Sequence, residues 1–267
     1  LDQLRILVDV LPSDYEAEDV YFDNDDDLNR VIPELNDAAY DAAYILKSIS
    51  DNNMYIETKA AYAKEMVTAF IRQNGETVGA VANQPVDGES VLTRNGLEKA
   101  ERFIKFCDAF SIPLLTVTNV TGLRANAHEE RKQALALAKF TTTLAQVSIN
   151  LIAGEAYGTA AEVMNSKAIG ADFVLAWPQA SVGMMDAEQA VRIMYAEEIN
   201  TDKNKTALIA EKTAEYAEGQ SSALAAAKRG YIDDIIEPDA TRKRLIAAYE
   251  MLYGKKVTPV TKKHTAV

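Results

Sequence analysis

Ser148-Ile149-Asn150-Leu151-Ile152-Ala153-Gly154-Glu155-Ala156-Tyr157-Gly158-Thr159-Ala160-Ala161-Glu162-Val163-Met164-Asn165-Ser166 opens as a short apolar run of buried-strand type, crosses two glycines and continues in small, helix-favouring residues with no Pro to stop them. This pattern predicts a strand, a tight turn and the start of a helix. At such a junction the first helical N–H groups have no intrahelical partner, so they point outward and can hold a developing negative charge.

The rest of the 267-residue chain is long enough to bury a full core without disulfides or metal. A composition of 48% hydrophobic and 25% charged residues is ordinary for a globular protein. The net charge of -12 argues against a nucleic-acid partner, because phosphate binding needs a basic surface. The one cysteine, Cys107, permits no disulfide within the chain; it reads as a small core residue on a helix, and a reducing compartment, the cytoplasm, is expected. No segment approaches the roughly 18 apolar residues needed to cross a bilayer, and no signal peptide opens the chain. Leu1 rather than Met at the start suggests an excised piece of a longer protein.

Taken in order, residues 1–33 read as a linker or acidic arm, with eight acids and no base between Asp14 and Asp27. Asp23, Asp25, Asp27 and Glu34 fit part of a calcium-loop count, but Leu28 stands where that loop needs Gly, so a solvated acidic face is expected and no metal. Ala42, Ile45, Leu46 and Ile49 recur at helical spacing. Met66–Ile71 and Thr77–Ala82 flank Asn74-Gly75, a hairpin signal because both turn positions tolerate positive φ. A helix over Asn95–Phe110 carries Leu97, Ala100, Phe103, Ile104 and Cys107 on one face, and Ile112–Asn119 follows as a strand. Val120–His128 reads as a loop, Glu129–Gln146 as a long helix, Phe173–Ala176 as a strand and Ser181–Met184 as a brief apolar segment. Helices are expected over Asp186–Glu198, Lys205–Glu218, Ser221–Arg229 and Thr241–Tyr253, with a short strand over Tyr231–Ile236. Residues 255–267 form a basic tail with four lysines and no acid, expected to be disordered. Strands alternating with helices place the chain in the α/β class and leave open a doubly wound sheet or a spiral of strand-strand-helix turns.

Several standard constellations are absent: no nucleotide-type glycine loop, no Gly-x-Ser-x-Gly elbow, no paired histidines on a helix and no paired cysteines. Hydride transfer, phosphoryl transfer and zinc hydrolysis are therefore disfavoured. Of the two histidines, His128 lies at a helix start and reads as capping or solvated, and His264 lies in the tail. What remains is backbone chemistry at Gly122 and at Gly158-Thr159-Ala160, where amides could face an oxyanion; each such donor is worth about 3 kcal/mol in a barrier. The alternative is that Gly158 and Ala160 let the helix pack closely on its strand. Glu162 on the first turn is favoured by the helix dipole in either case.

Thr77-Val78-Gly79-Ala80-Val81-Ala82-Asn83-Gln84-Pro85 and Ala100-Glu101-Arg102-Phe103-Ile104-Lys105-Phe106-Cys107-Asp108-Ala109-Phe110-Ser111-Ile112-Pro113-Leu114 resemble the carboxyltransferase subunit, of beta type, of biotin-dependent acyl-CoA carboxylases. Further matches are Ser166–Asp172, Ala176-Trp177-Pro178, Arg229–Pro238 and Thr241-Arg242, with Leu11-Pro12-Ser13 where that subunit passes from its first half to its second. The resemblance covers nearly all of this chain but only the C-terminal half of the family, with residues 34–254 as the domain proper. It implies a crotonase-like fold, a spiral of strand-strand-helix turns, usually assembled into oligomers. It also implies that an N-terminal half holds the acyl-CoA, that the C-terminal half binds carboxybiotin across a subunit interface, and that a biotin carboxyl carrier and a biotin carboxylase are partners. The family's second oxyanion motif, Tyr-Gly-Gly-Ala-Tyr-Asp, falls on Tyr157-Gly158-Thr159-Ala160-Ala161-Glu162. The amides of Thr159 and Ala160 would then face the biotin ureido oxygen, with Gly122, Leu123, Tyr157, Gly158, Ala161 and Glu162 around the substrate.

This sequence departs from the motif at Thr159, which replaces a glycine, and at Ala161, which replaces an aromatic. Asn119-Val120-Thr121-Gly122-Leu123 stands where the family has Asp-Val-Pro-Gly-Phe, and Ser221-Ser222 near a usual Asn-Pro. The expected function is carboxyl transfer between biotin and an acyl-CoA, inactive without the other half. The alternatives are a decarboxylase subunit using the same site in reverse, and an assembly domain that has kept the fold and lost the biotin site. A hydratase or peptidase of the same superfamily ranks last, since no paired glutamates or Ser-His pair lie near the donors.

Overall fold

The computed structural model describes residues 2–12, 23–37, 39–124, 128–143 and 148–255. The basic tail from 256 on and most of the acidic block before Asp23 lie outside them.

The chain opens with α1 (Asp2–Val10), α2 (Glu34–Asp37) and α3 (Ala42–Ile49), the last capped by Asp41, whose carboxylate accepts from the Tyr44 amide. Strands β1 (Tyr55–Thr58), β2 (Met66–Gln73) and β3 (Glu76–Asn83) form an antiparallel ribbon. The β2–β3 hairpin turns at Asn74 (φ 49) and Gly75 (φ 83), as the Asn-Gly pair predicts. After β4 (Val91–Leu92), α4 (Arg94–Ala109) and β5 (Leu114–Val120) come β6 (Gly122–Leu123), α5 (Glu130–Thr143), β7 (Ser148–Tyr157) and α6 (Gly158–Val163). The rest is β8 (Phe173–Ala176), β9 (Ser181–Gly183), α7 (Ala187–Met194), α8 (Ala196–Thr201), α9 (Lys205–Tyr216), α10 (Ala223–Lys228), β10 (Asp234–Ile235) and α11 (Thr241–Leu252).

The eight-stranded sheet runs β1-β2-β3-β5-β7-β8-β10, with β9 beside the end of β7; from β3 onward every pairing is parallel. Helices cover both faces. Period-2 alternation sends Val67, Ala69 and Ile71 of β2 toward α3 and α11, and Met66 and Phe70 toward α4. Leu97, Ala100, Phe103, Ile104 and Cys107 are all buried on one stripe of α4. Cys107 sits so close to β3 that a Cβ at Gly79 would lie 2.5 Å from its Sγ, and burial raises this thiol well above its ordinary value.

Four local readings are refined by tertiary contacts. The segment read as a loop after β5 contains β6, paired in parallel with β4. The helix read over Asp186–Glu198 is broken at Tyr195, whose ring lies under Lys212 of the packed helix α9. The strand read over Tyr231–Ile236 shrinks to two residues because the Asp233 carboxylate is taken by the Val174 amide and Lys167. Part of the arm is structured: α1 ends in the fully buried Val10, whose carbonyl accepts from Thr77 Oγ1 at 2.8 Å.

The acid-rich segment is also pinned where it is described. Arg30 holds Asp26 through two bonds of 3.0 Å, the Asn52 amide donates to it at 2.9 Å, and Arg242 lies 3.6 Å away. Burial alone would raise the Asp26 carboxyl, but those hydrogen bonds and the two guanidinium charges hold it below its ordinary value. A depressed folded-state pKa contributes stability above the unfolded value of 3.8 that is lost as pH falls through the folded one. Asp26→Asn is therefore expected to lower Tm at pH 7 and to lower it much less at pH 3. Equal losses at both pH values would show that the carboxylate charge is not what holds the segment.

Candidate functional site

At the end of β7 the chain turns through Gly158 with φ +57, and α6 begins at once. A side chain at Gly158 would be strained by that φ and would meet the Met184 carbonyl oxygen at 3.0 Å, so glycine is required twice over. Tyr157, the N-cap, gives α6 no side-chain cap, which leaves the first amides without an acceptor from that side chain. Thr159 lies in the helix and is not among the positive-φ residues; its side chain is exposed. The β-branched substitution thus falls one position after the demanding one and adds no backbone strain. Ala160 is buried, Ala161 half-buried and Glu162 exposed.

Beneath α6 lies a buried polar ladder between β5 and β7. Asn150 Oδ1 accepts from Thr118 Oγ1 at 2.8 Å and from Thr116 Oγ1 at 3.1 Å. Asn165, two residues beyond α6, donates to Thr116 Oγ1 at 3.2 Å and accepts from Ser148 Oγ at 3.2 Å. Thr118 Oγ1 also lies 3.3 Å from the Met164 carbonyl, the longer of the two contacts that its single proton can serve. Buried polar groups must be satisfied, and here satisfaction fixes both ends of β7–α6 in place.

A second anchor stands above the ladder. The Glu155 amide donates to Asn119 Oδ1 at 3.0 Å, at the bulge where the β5–β7 register shifts. A Cβ at Gly154 would lie 2.5 Å from that oxygen, so Gly154 serves Asn119. The Asn119 carbonyl accepts from the Ser90 hydroxyl. Tyr157 is buried and donates to Ser181 Oγ at 3.0 Å, tying β7 to β9. Burial raises the Tyr157 phenol; the Ser181 contact opposes this and the Glu155 and Asp186 charges add to it.

Gly122 and Leu123 form β6, against which α6 packs, and Leu123 and Ala161 rest on the same apolar cluster that buries Ala160 and Val163. A cleft of about 430 Å³ opens beside them. Its walls include Ser90, Thr121, Leu123 and Glu155, with the Glu89–Arg124 ion pair at its rim. The structure therefore brings Gly122–Leu123 next to Gly158–Ala161. It sends the Tyr157 hydroxyl toward β9, and Thr159, Ala160 and Glu162 are not among the residues of the cleft wall. Of the site residues named from the sequence, Leu123 alone lines the cleft; the start of α6 beside it has no cap from Tyr157, and backbone donors next to an apolar surface suit a neutral ring with one strong acceptor, such as the biotin ureido group.

Sequence reasoning named Asn119 only as a departure in the loop, gave it no positioning role, and missed Asn150, Ser181 and the carbonyl of Met184. The available signal was the run Thr116, Thr118, Asn119 and Asn150, polar residues inside strands otherwise read as buried. The quoted motifs mostly build the frame: Trp177 Nε1 donates to Thr241 Oγ1 at 2.9 Å, Arg242 pairs with Asp51 at 2.6 Å, and Lys167 bonds Asp233 at 2.7 Å.

Residues 3–267 match the family model described as a carboxyl transferase domain. The chain is 36% identical to the methylmalonyl-CoA decarboxylase subunit alpha of Propionigenium modestum over 99% of its own length and 53% of that protein. It is 39% identical to a putative propionyl-CoA carboxylase beta chain of Bacillus subtilis, over 89% of its length and 48% of the relative. A crystal structure of the transcarboxylase 12S hexamer with hydrolysed methylmalonyl-coenzyme A superposes with a TM-score of 0.90 at 34% identity, over 99% of this chain and 53% of that one. The beta subunit of geranyl-CoA carboxylase from P. aeruginosa, at 22% identity and a TM-score of 0.71, shares the fold. The fold is thus the crotonase-like one expected, and the chain spans about half the length of the curated relatives it matches. Among the described residues no helix is long and apolar enough to cross a membrane. On the match over nearly its whole length, this chain belongs to the carboxyl transferase domain family.

Proposed function

We propose that the chain is the C-terminal, carboxybiotin-binding half of an acyl-CoA carboxyltransferase, with a second half holding the acyl-CoA. The observation that carries this reading is the turn at Gly158, whose positive φ starts a helix with no side-chain cap beside Leu123. Biotin, when bound, supplies a ureido nitrogen that carries the carboxyl group and a ureido oxygen on which negative charge is left when it departs. The amides of Thr159 and Ala160 would hold that oxygen, as backbone donors placed where negative charge is left. The ladder through Asn150 and Asn165 keeps those amides from reorienting, so little reorganisation is needed during reaction. Leu123 supplies an apolar wall that limits competing water. The biotin arrives on a carrier domain charged by a biotin carboxylase, subunits associate as oligomers like the 12S relative, and the lone buried thiol suits the cytoplasm. The similarity to a decarboxylase subunit supports use of the same site in the reverse direction as the second reading.

Titration of the ¹⁵N-labelled chain with biotin tests the assignment. The Thr159 and Ala160 amide resonances are expected to shift and saturate, whereas the 267 residues alone decarboxylate no malonyl-CoA. Unmoved amides, both in the isolated chain and with its partner half added, would sink the reading.

A further inference from the structure

On the opposite face from the polar ladder, the β2–β3 hairpin tip and the last turns of α11 enclose a cleft of about 230 Å³. It is far larger than the roughly 30 Å³ share of a single water and smaller than a usual drug-sized pocket. Two polar atoms buried in its lining residues have no partner, Gln73 Oε1 and the Tyr249 hydroxyl. These residues are 2% and 7% exposed, and buried polar groups are otherwise almost always paired. The Gln73 amide nitrogen is already used, donating to the Ile49 carbonyl at 2.8 Å, so the free atom is the acceptor. Burial, reinforced by Asp172, pushes the Tyr249 phenol well above its ordinary value and keeps it neutral.

The charged residues of the lining have one sign, and cations nearby are paired: Arg242, which shares the Ile49 carbonyl with Gln73, bonds Asp51, and Lys255 bonds Asp172. Glu76 and Glu250 both line the cleft, and Asn74 reaches Glu250 Oε1 at 3.4 Å across its mouth. The last turn of α11, the negative end of its dipole, carries no basic residue. Ile246 and the Tyr253 ring complete the wall with apolar surface. Acceptors, negative charge and an aromatic face together suit a cation with a short hydrocarbon body.

We propose that this cleft binds a small primary alkylammonium ion, its head group donating to Gln73 Oε1, the Tyr249 oxygen and the Glu250 carboxylate, and its body lying on Ile246 and Tyr253. The site lies on the other face of the sheet from α6 and is independent of the carboxyltransferase reading. n-Butylammonium chloride is the probe, with 1-butanol and sodium chloride at matched ionic strength as controls, read by calorimetry and thermal unfolding of the 267-residue chain. At about ten times its Kd the ammonium salt is expected to raise Tm by about 3–5 °C, and neither control does so. Tyr249→Phe and the exposed Glu250→Gln are each expected to weaken binding about tenfold. A rise of equal size with either control, or wild-type affinity in Glu250→Gln, would overturn the proposal whether or not Tyr249→Phe folds.

Discussion

Arg242→Met is expected to cost about 3–5 kcal/mol of folding stability, a fall in Tm on the order of 10 °C. Arg242 is fully buried, and its guanidinium ties α11 to two other parts of the chain, residues 26–27 and 49–51. Nη1 bonds the Asp51 carboxylate at 2.6 Å and the Ile49 carbonyl at 3.1 Å, Nε reaches the Asp27 carbonyl at 3.4 Å, and Nη2 faces Asp26 at 3.6 Å. Asp51, itself 3% exposed, passes the connection on to the hairpin turn by accepting from the Asn74 amide at 3.2 Å and the Gly75 amide at 2.7 Å. Removing the guanidinium leaves the buried Asp51 carboxylate with two amides and the charge of Arg72 but no ion-pair partner in contact, and the under-compensated charge is the dominant penalty. The double variant Asp51→Asn/Arg242→Met should therefore lose clearly less than the sum of the single losses. Denaturant unfolding of all four proteins measures this, and a single Arg242→Met variant within about 1 kcal/mol of wild type would contradict it.

Gly158→Ala carries the second large expectation. Holding alanine at φ +57 costs roughly 1–2 kcal/mol, and its methyl group would press on the Met184 carbonyl 3.0 Å away. Relief of that contact requires the turn to move, which re-aims the Thr159 and Ala160 amides. A misdirected oxyanion donor costs about 10²-fold in rate, so carboxyl transfer by the complete subunit should fall by about that factor. Thr159→Gly is the contrasting case: the residue is exposed and its backbone ordinary, so stability should change by no more than about 0.5 kcal/mol and transfer by less than a few-fold. Full activity in Gly158→Ala would remove the turn from the mechanism.

The two expectations concern the two layers of this protein. Arg242 and Trp177, part of the motifs by which the chain resembles its family, hold the helices to the sheet and lie away from the proposed oxyanion turn. The residues that position that turn, Asn119 and Asn150, are polar positions in strands that are mostly buried and apolar, and nothing next to them in the chain says what they bond. Thr159 shows the same limit. A motif comparison marks it as a break in the glycine pair, whereas the backbone places the positive φ at Gly158 alone.

By itself the sequence determined the elements whose causes are local: the Asn74-Gly75 hairpin, the apolar stripe of α4, the amphipathic α3 and the strand-turn-helix passage at Gly158. Each depends on residues within a few positions of one another, where φ preference and hydrophobic period act directly. Tertiary structure decided what depends on partners far along the chain. The break at Tyr195 comes with the packing of α9, and the shortness of β10 from the capture of Asp233 by Lys167 and Val174. The need for glycine at 154 arises from the Asn119 side chain, 35 residues earlier (154 − 119). Such contacts become favourable only after the intervening chain has closed, so their energies leave no periodic trace in the residues that make them.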